Sequence, residues 1–416
     1  MNCLSVHAPR LHGRSHVDLA MLLLRLATVV LAFVLAIPAT GLAAAPATEF
    51  TIKARQAILL DADSGAVLFQ SNADELAPPA SMSKLMTLAV LFRAIKAGEV
   101  KLESEFLMSE NAWRKGGGPS GTSAMFVSLG ARARVDELIR GIIIQSGNDA
   151  AISVAENVAG SEDSFAKQMN DEARRIGLTK STFRNATGLY HPEHLMTVRE
   201  LAQLGRFLVR EYPEYAPIFI QREMFYTETK APFKKHRFIN RNPLVFMNVG
   251  AEGLKTGHLR ESGYGIIATA KQDQRRLMLV INGLATEADR KDEARRLLEW
   301  GFKAFGEFKL FDAGEIVGRA RVLGGSRMHV PLTGNGDVIA VLPRFPPNQK
   351  LKAEIVYKGP LAPPIRRGDE VARLRVTSST EATSEIPLFA AEDVLPVGTM
   401  WRGFDTLLHL ATRWLP

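Results

Sequence analysis

The ten residues Pro78-Pro-Ala-Ser-Met-Ser-Lys-Leu-Met-Thr87 decide how this chain is read. Two prolines and an alanine run into Ser81, which places the serine at the start of a helix predicted over about Ser81–Lys96 and closed by Gly98. Ser81 and Lys84 stand three residues apart, so they share one helix face and the amine lies beside the hydroxyl. Free N–H groups at a helix start favour developing negative charge. A serine is a weak nucleophile until a base takes its proton, and a desolvated lysine can be that base. Alone, the pattern reads more readily as a helix cap with a solvated lysine. Ser164-Phe-Ala-Lys167 repeats the spacing inside a segment that reads as an ordinary amphipathic helix.

Two further polar triplets follow. Ser146-Gly147-Asn148 comes directly after the apolar run Ile142–Ile144. It can also be a polar turn between helices with Asn148 as a cap. Lys255-Thr256-Gly257 precedes a predicted strand, Gly265–Ala270; alone it is three residues near a loop. Two lysines near one serine repel each other, which favours a neutral Lys84 able to accept a proton. Other chemistries lack their signatures. There is no H-E-x-x-H pair and no G-x-S-x-G elbow, and Gly116-Gly-Gly118 runs into Pro-Ser-Gly without the Lys-Ser/Thr of a phosphate loop.

Around these triplets, residues near 50–300 read as mixed α/β. Ala57–Leu60 and Ala66–Phe69 form a hairpin about Asp61–Gly65. Val135, Leu138, Ile139 and Ile142 have helical spacing. Thr197 and Glu200 make a capping box for a helix to about Arg210. Leu277–Asn282 pairs with Gly265–Ala270, and Glu293–Phe305 is a final helix. From about Phe308 the texture becomes short β runs (Glu315–Val322, Met328–Pro331, Val338–Leu342, Leu351–Tyr357, Glu370–Val376) between Gly, Pro and Asn turns, which is a small all-β domain.

The composition is globular: 416 residues, 46% hydrophobic, 23% charged. Such a chain buries a sizeable core without staples. The net charge of +8 is spread out, with no Lys/Arg block, so nucleic acid is not an expected partner. One cysteine, Cys3, excludes a disulfide framework and a thiolate zinc site.

Both ends are unusual. In residues 1–45, Arg10, Arg14 and Arg25 precede an apolar stretch, Leu26–Ile37, followed by small residues Ala39–Ala45. This reads as a secretory signal; the alternative is an uncleaved N-terminal anchor. At the C-terminus, Met400, Trp401, Phe404, Leu407, Leu408, Ala411, Trp414 and Leu415 share one helical face. The tail is an interfacial helix on a membrane or a terminal helix docked on its own domain.

The order of the triplets, and the contexts PASMSKLMT, GTSAMFV, RGIIIQSGNDA and GLKTGH, resemble the low-molecular-mass penicillin-binding proteins, specifically the D-alanyl-D-alanine carboxypeptidases. The resemblance runs from about residue 50 to the end. It implies a serine β-lactamase/transpeptidase-like α/β (α+β) catalytic domain, a small all-β domain and a C-terminal amphipathic helix. The implied division is 1–45 signal peptide, 46–306 catalytic domain, 307–392 all-β domain and 393–416 membrane-anchoring helix.

By the same resemblance Ser81 is the acyl-accepting nucleophile, Lys84 its base and Ser146 the proton relay to departing D-alanine. Asn148 holds the substrate peptide. Lys255 and Thr256 set the positive field and contact the terminal carboxylate, Gly257 binds substrate beside them, and Arg290 falls at the position of a further carboxylate-binding arginine. The amides of Ser81 and His258 form the oxyanion hole. Arg290 can also be a solvated charge at a helix start. The implied partners are peptidoglycan pentapeptide stems, β-lactams as covalent inhibitors and the inner-membrane surface, in the periplasm; a Ser–Lys system needs no cofactor. A class A β-lactamase would require a glutamate on the loop between the second and third triplets. The nearest, Glu193-His-Leu195, lacks the usual spacing. A D,D-endopeptidase, which cuts cross-links between stems, shares the same residue types. A wall-binding protein on a decayed enzyme fold would not need them, and all of them are present.

Overall fold

The computed structural model describes residues 50–231, 233–345, 350–379 and 383–398. The expected signal segment and almost all of the expected anchoring helix lie outside these residues.

The frame of the first part is an antiparallel sheet of β1 (Gln56–Asp61), β2 (Val67–Ser71), β7 (Ala251–Leu259), β8 (Gly263–Gln272) and β9 (Arg275–Leu284), in the order β2-β1-β9-β8-β7. Two short hairpins complete its strands: β3 (Glu105–Leu107) with β4 (Arg132–Arg134), and β5 (Glu223–Thr227) with β6 (Lys235–Ile239). The expected hairpin and the expected pairing across Ile267 and Val280 are both present.

Side chains alternate across the sheet, as the period of two demands. Ile58, Leu60, Ile267, Met278 and Val280 face one core. Ala57, Leu59, Ile266, Leu277, Leu279 and Ile281 face a second, where Ala294, Leu297 and Leu298 also pack. The first core holds α1 (Lys84–Lys96), α2 (Glu110–Gly116), α3 (Val135–Arg140), α4 (Asn148–Ala159), α5 (Glu162–Arg175), α6 (Val198–Glu211) and the short α7 (Ala216–Phe219). The second core is covered by α8 (Glu287–Ala304). Helix α1 is buried on nearly every side, which its run of apolar residues requires. Ser164 and Lys167 lie on α5, whose inward face is Phe165, Ala166, Met169 and Ala173, as expected of an ordinary helix.

Three boundaries differ from the sequence reading. Helix α8 starts at Glu287, six residues early, because Thr286 caps it by accepting from the Asp289 N–H at 3.0 Å. Its charged first turn carries no apolar period to betray it. The helix ends at Ala304, and Phe305 opens β10 (Phe305–Phe311), paired with β13 (Val338–Pro343). Helix α3 runs on as a single π turn, Gly141–Gln145.

The second part has a five-stranded sheet, β11 (Gly318–Arg321), β12 (His329–Thr333), β16 (Thr383–Ala390), β15 (Glu370–Ser378) and β14 (Leu351–Val356), neighbouring in that order. With β10 and β13 it encloses a separate core of Val330, Leu332, Ala340, Leu342, Leu374 and Leu388. Val394 and Pro396 bridge to Ile365 and Gly325, so the first residues assigned to the anchoring helix instead extend along this β domain.

Candidate active site

Ser81 lies in a tight 3-10 turn, Ala80–Ser83, and the α-helix proper begins at Lys84. The turn is clamped from two sides. A Cβ on Gly257 would come within 2.9 Å of the Ala80 Cβ and 3.0 Å of the Pro79 carbonyl oxygen. A Cβ on Gly188 would come within 2.0 Å of the Ala80 carbonyl oxygen. Ala80 itself has φ +52°, a left-handed conformation that costs an alanine about 1–2 kcal/mol. Close packing holds the backbone in this shape, and the shape aims Ser81.

The Lys84 side chain is fully buried. Its Nζ donates to Ser81 Oγ at 2.9 Å, to Asn148 Oδ1 at 2.6 Å and to the Thr187 carbonyl oxygen at 2.6 Å. Burial, with Arg241 adding repulsion and Asp149 partly opposing it, brings the ammonium down to about pKa 7. The shift towards a neutral Lys84 comes from burial and Arg241 rather than from its companion lysine. Lys255 is held well below its ordinary range, first by burial and then by Lys84, Arg241 and Arg290.

The second triplet terminates the π turn. Ser146 is buried and left-handed at φ +64°, and the Gly147 N–H closes the turn onto the Gly141 carbonyl at 3.0 Å. Gly147 takes the cap position, so Asn148 is the first residue of α4 and its side chain is available to Lys84. Asn148 Nδ2 donates to Thr122 Oγ1 at 2.9 Å, and its backbone N–H to the Ser123 carbonyl at 2.7 Å. Asp149 fixes the same loop, accepting from the N–H groups of Met125 at 2.8 Å and Val127 at 3.3 Å. Burial raises its carboxyl to about pKa 6 against those bonds. Arg241, at the end of the β5–β6 hairpin, donates to Ser123 Oγ at 2.6 Å.

The third triplet lies within a strand rather than near a loop. Lys255, Thr256, Gly257 and His258 occupy β7, the edge of the sheet against the Ser81 turn, with Gly257 opposite Gly265 and His258 opposite Tyr264. The Lys255 Nζ donates to the Thr256 carbonyl at 3.0 Å. The His258 ring stacks on Tyr264 at 4.0 Å, and the Arg290 guanidinium lies 5.8 Å from the centre of the Tyr264 ring. Arg290 is only 4% exposed and pairs with Glu287, so it is a buried group and not a solvated charge.

Ser81, Asn148 and His258 open onto a cavity of about 470 Å³. Larger hollows of about 790 and 760 Å³, beside α5 and between the sheet and the β domain, contain none of the expected site residues. The cavity wall also carries Thr122, Ser123, Arg241 and Arg260, to which the sequence reading gave no role. Thr122 and Ser123 had one signal, the family-like context GTSAMFV; Arg241 and Arg260 had none.

A family model described as D-alanyl-D-alanine carboxypeptidase, peptidase S11, matches residues 42–286, and one described as the C-terminal domain of penicillin-binding protein 5 matches residues 305–395. The chain belongs to the D-alanyl-D-alanine carboxypeptidase family. It is 34% identical to the carboxypeptidase DacC of Escherichia coli over 92% of this chain and 95% of that protein. It is 30% identical to DacF of Bacillus subtilis over 84% of this chain and 88% of that one. The crystal structure of penicillin-binding protein 5 from Haemophilus influenzae superposes with a TM-score of 0.71 at 29% identity, covering 84% of this chain and 99% of its own. The expected fold class, a transpeptidase-like α/β domain followed by an all-β domain, is the fold of this family.

Proposed function

We propose that this serine-type carboxypeptidase removes the terminal D-alanine of peptidoglycan pentapeptide stems through an acyl-enzyme on Ser81. The observation that carries the reading is the buried Lys84 amine, 2.9 Å from Ser81 Oγ. Neutral Lys84 takes the hydroxyl proton while Oγ bonds to the scissile carbonyl carbon. The Ser81 and His258 amides receive the oxyanion. The carbon–nitrogen bond then breaks as the leaving amine takes a proton relayed through Ser146, and water releases the shortened stem by the reverse sequence. A β-lactam undergoes the same attack, but its opened ring stays attached. Thr256, Gly257 and Arg290 meet the substrate carboxylate, whose arrival also supplies the counter-charge that buried Lys255 lacks.

The β-lactamase alternative needs a glutamate beside this pair. Glu193 is exposed and pairs with Arg184 at 3.2 Å. Purified enzyme releases D-alanine from a pentapeptide and leaves a cross-linked dimer of stems intact. Cleavage of the dimer with no D-alanine release would replace this reading with an endopeptidase.

The signal-like segment and the amphipathic tail support a periplasmic enzyme held peripherally on the inner membrane. Among the described residues no helix is long and apolar enough to cross a membrane. Deleting residues 397–416 moves the enzyme from the membrane pellet to the soluble fraction; a truncated chain that still sediments with membranes would sink the anchor.

A further inference from the structure

The β5–β6 hairpin carries positive charge out of proportion to its length. Residues 222–241 hold six Lys or Arg against two Glu, a net charge of +4 where the whole chain has +8. Both glutamates are paired on the hairpin itself, Glu223 with Arg237 and Glu228 with His236. Among the described residues, Arg222, Lys234 and Lys235 have no carboxylate within ion-pairing reach.

Strand alternation sorts the side chains into two faces. Met224, Tyr226 and Phe238 are buried, and His236 stacks on Phe126 at 5.1 Å. This inner face packs on the loop that brings Thr122 and Ser123 to the cavity wall. The outer face is uncovered. Phe225 is 54% exposed and Ile239 48%, with Phe233 at the tip and Phe246 just past the hairpin also exposed. Lys235 Nζ lies 5.1 Å from the centre of the Phe225 ring, and the Arg222 guanidinium 5.7 Å from that of Phe246. Twice, therefore, an exposed ring stands beside a cation that lacks a carboxylate. Single exposed apolar residues need no explanation, but several on one strand pair, set among unpaired cations, mark an interaction surface.

Arg241 ends the hairpin and lines the cavity, so the outer face begins at the cavity rim. Phe225 pairs with Arg237, which is four residues of chain, at most about 14 Å, from Arg241. The four stem residues between the glycan and the scissile bond span at most about the same length. A glycan strand whose stem reaches Ser81 therefore passes within reach of this face. Its chemistry also matches. The stems end in carboxylates and their amino termini are tied up in amide bonds, so the polymer is anionic and complements the free cations. The C–H groups on a sugar face are positively polarised and suit the negative face of an aromatic ring.

We propose that the outer face of the β5–β6 hairpin is a docking surface for the glycan strands of polymeric peptidoglycan, separate from the cavity that takes the stem end. The identity of the polymer rests on the carboxypeptidase reading. Docking keeps the enzyme on the wall between turnovers, which raises the local concentration of stems at the cavity without any new contact inside it.

The test compares wild type with the double variant Phe225→Ser/Lys235→Ser, both positions being exposed, on insoluble peptidoglycan sacculi and on a soluble pentapeptide. Wild-type enzyme sediments with sacculi and is released by salt. The variant binds sacculi about tenfold more weakly and releases D-alanine from them more slowly, while its turnover of the soluble pentapeptide and its acylation by labelled penicillin are unchanged. Phe225→Tyr/Lys235→Arg, which keeps a ring and a cation, binds sacculi as wild type does. Wild-type sedimentation of the serine variant, or an equal loss on the soluble pentapeptide, overturns the docking surface. Loss of binding to anionic phospholipid vesicles with sacculus binding intact would also overturn it and give the face to a membrane. Sacculus binding needs no turnover. A difference in binding with no D-alanine release by the wild type would overturn the carboxypeptidase reading and leave the docking surface standing.

Discussion

Ser81→Ala abolishes both covalent capture of labelled penicillin and release of D-alanine, each falling by at least about 10⁴-fold, the scale of loss when a nucleophile is removed from a concerted catalytic unit. Mass spectrometry of the digested wild-type adduct places the label on the peptide containing Ser81. The nearby hydroxyl of Ser83 cannot substitute, because it is fully buried and donates to the Ala80 carbonyl at 3.0 Å. The variant keeps its fold. Ser81 is half-buried, and its loss removes one hydrogen bond to Lys84, worth about 0.5–1.5 kcal/mol. An unaltered melting profile with no labelling is therefore the expected pair of results. Undiminished labelling in the variant would move the nucleophile elsewhere.

Lys84→Met gives the second largest effect: acylation falls by about 10²–10⁴-fold, the contribution of a positioned general base. The wild-type profile identifies the base by its sign. A lysine brought down to about pKa 7 accepts a proton only above that pH, so acylation climbs about tenfold per pH unit up to about pH 7 and then levels. Stability moves the same way. The unfolded chain holds this proton up to the ordinary value of 10.5 while the folded protein has already released it. Between about pH 7 and 10.5 the unfolded state binds more protons, and wild-type stability rises with pH through that window. Lys84→Met removes this share of the slope, which thermal melts across the window measure. An acylation profile flat from pH 5 to 8 in the wild type would exclude Lys84 as the titrating base.

The parts of the site that sequence made legible are those whose partners lie within one turn or one strand. Ser81 and Lys84 find each other over three residues, and the context of Lys255–His258 is contiguous. Arg241 and Thr187 were silent because topology alone delivers them: one from the end of a hairpin 160 residues from Ser81, one as a carbonyl that any residue type could provide. The reading of Lys255–Gly257 as near a loop failed because glycines at 253 and 257 look like turn residues. Gly257 is instead a close-approach glycine within a strand. Phe302 and Phe305 keep the helical i, i+3 spacing across the junction, so the change from α8 to β10 between Ala304 and Phe305 left no pattern. The first turn of α8 was missed for the opposite reason: three of its four residues are charged and a cap holds it.

Helix α8 passes into β10 without a single linking residue, and it carries Arg290 in its opening turn. Eighteen residues at 1.5 Å make it a strut about 27 Å long, anchored in the β domain at one end and in the substrate site at the other. The small domain is thus linked through one rigid helix to the guanidinium proposed above to meet the substrate carboxylate. A tilt of about 5° at the far end swings the near end by about 2 Å over that length. How firmly the β domain is seated sets how steadily the site is held.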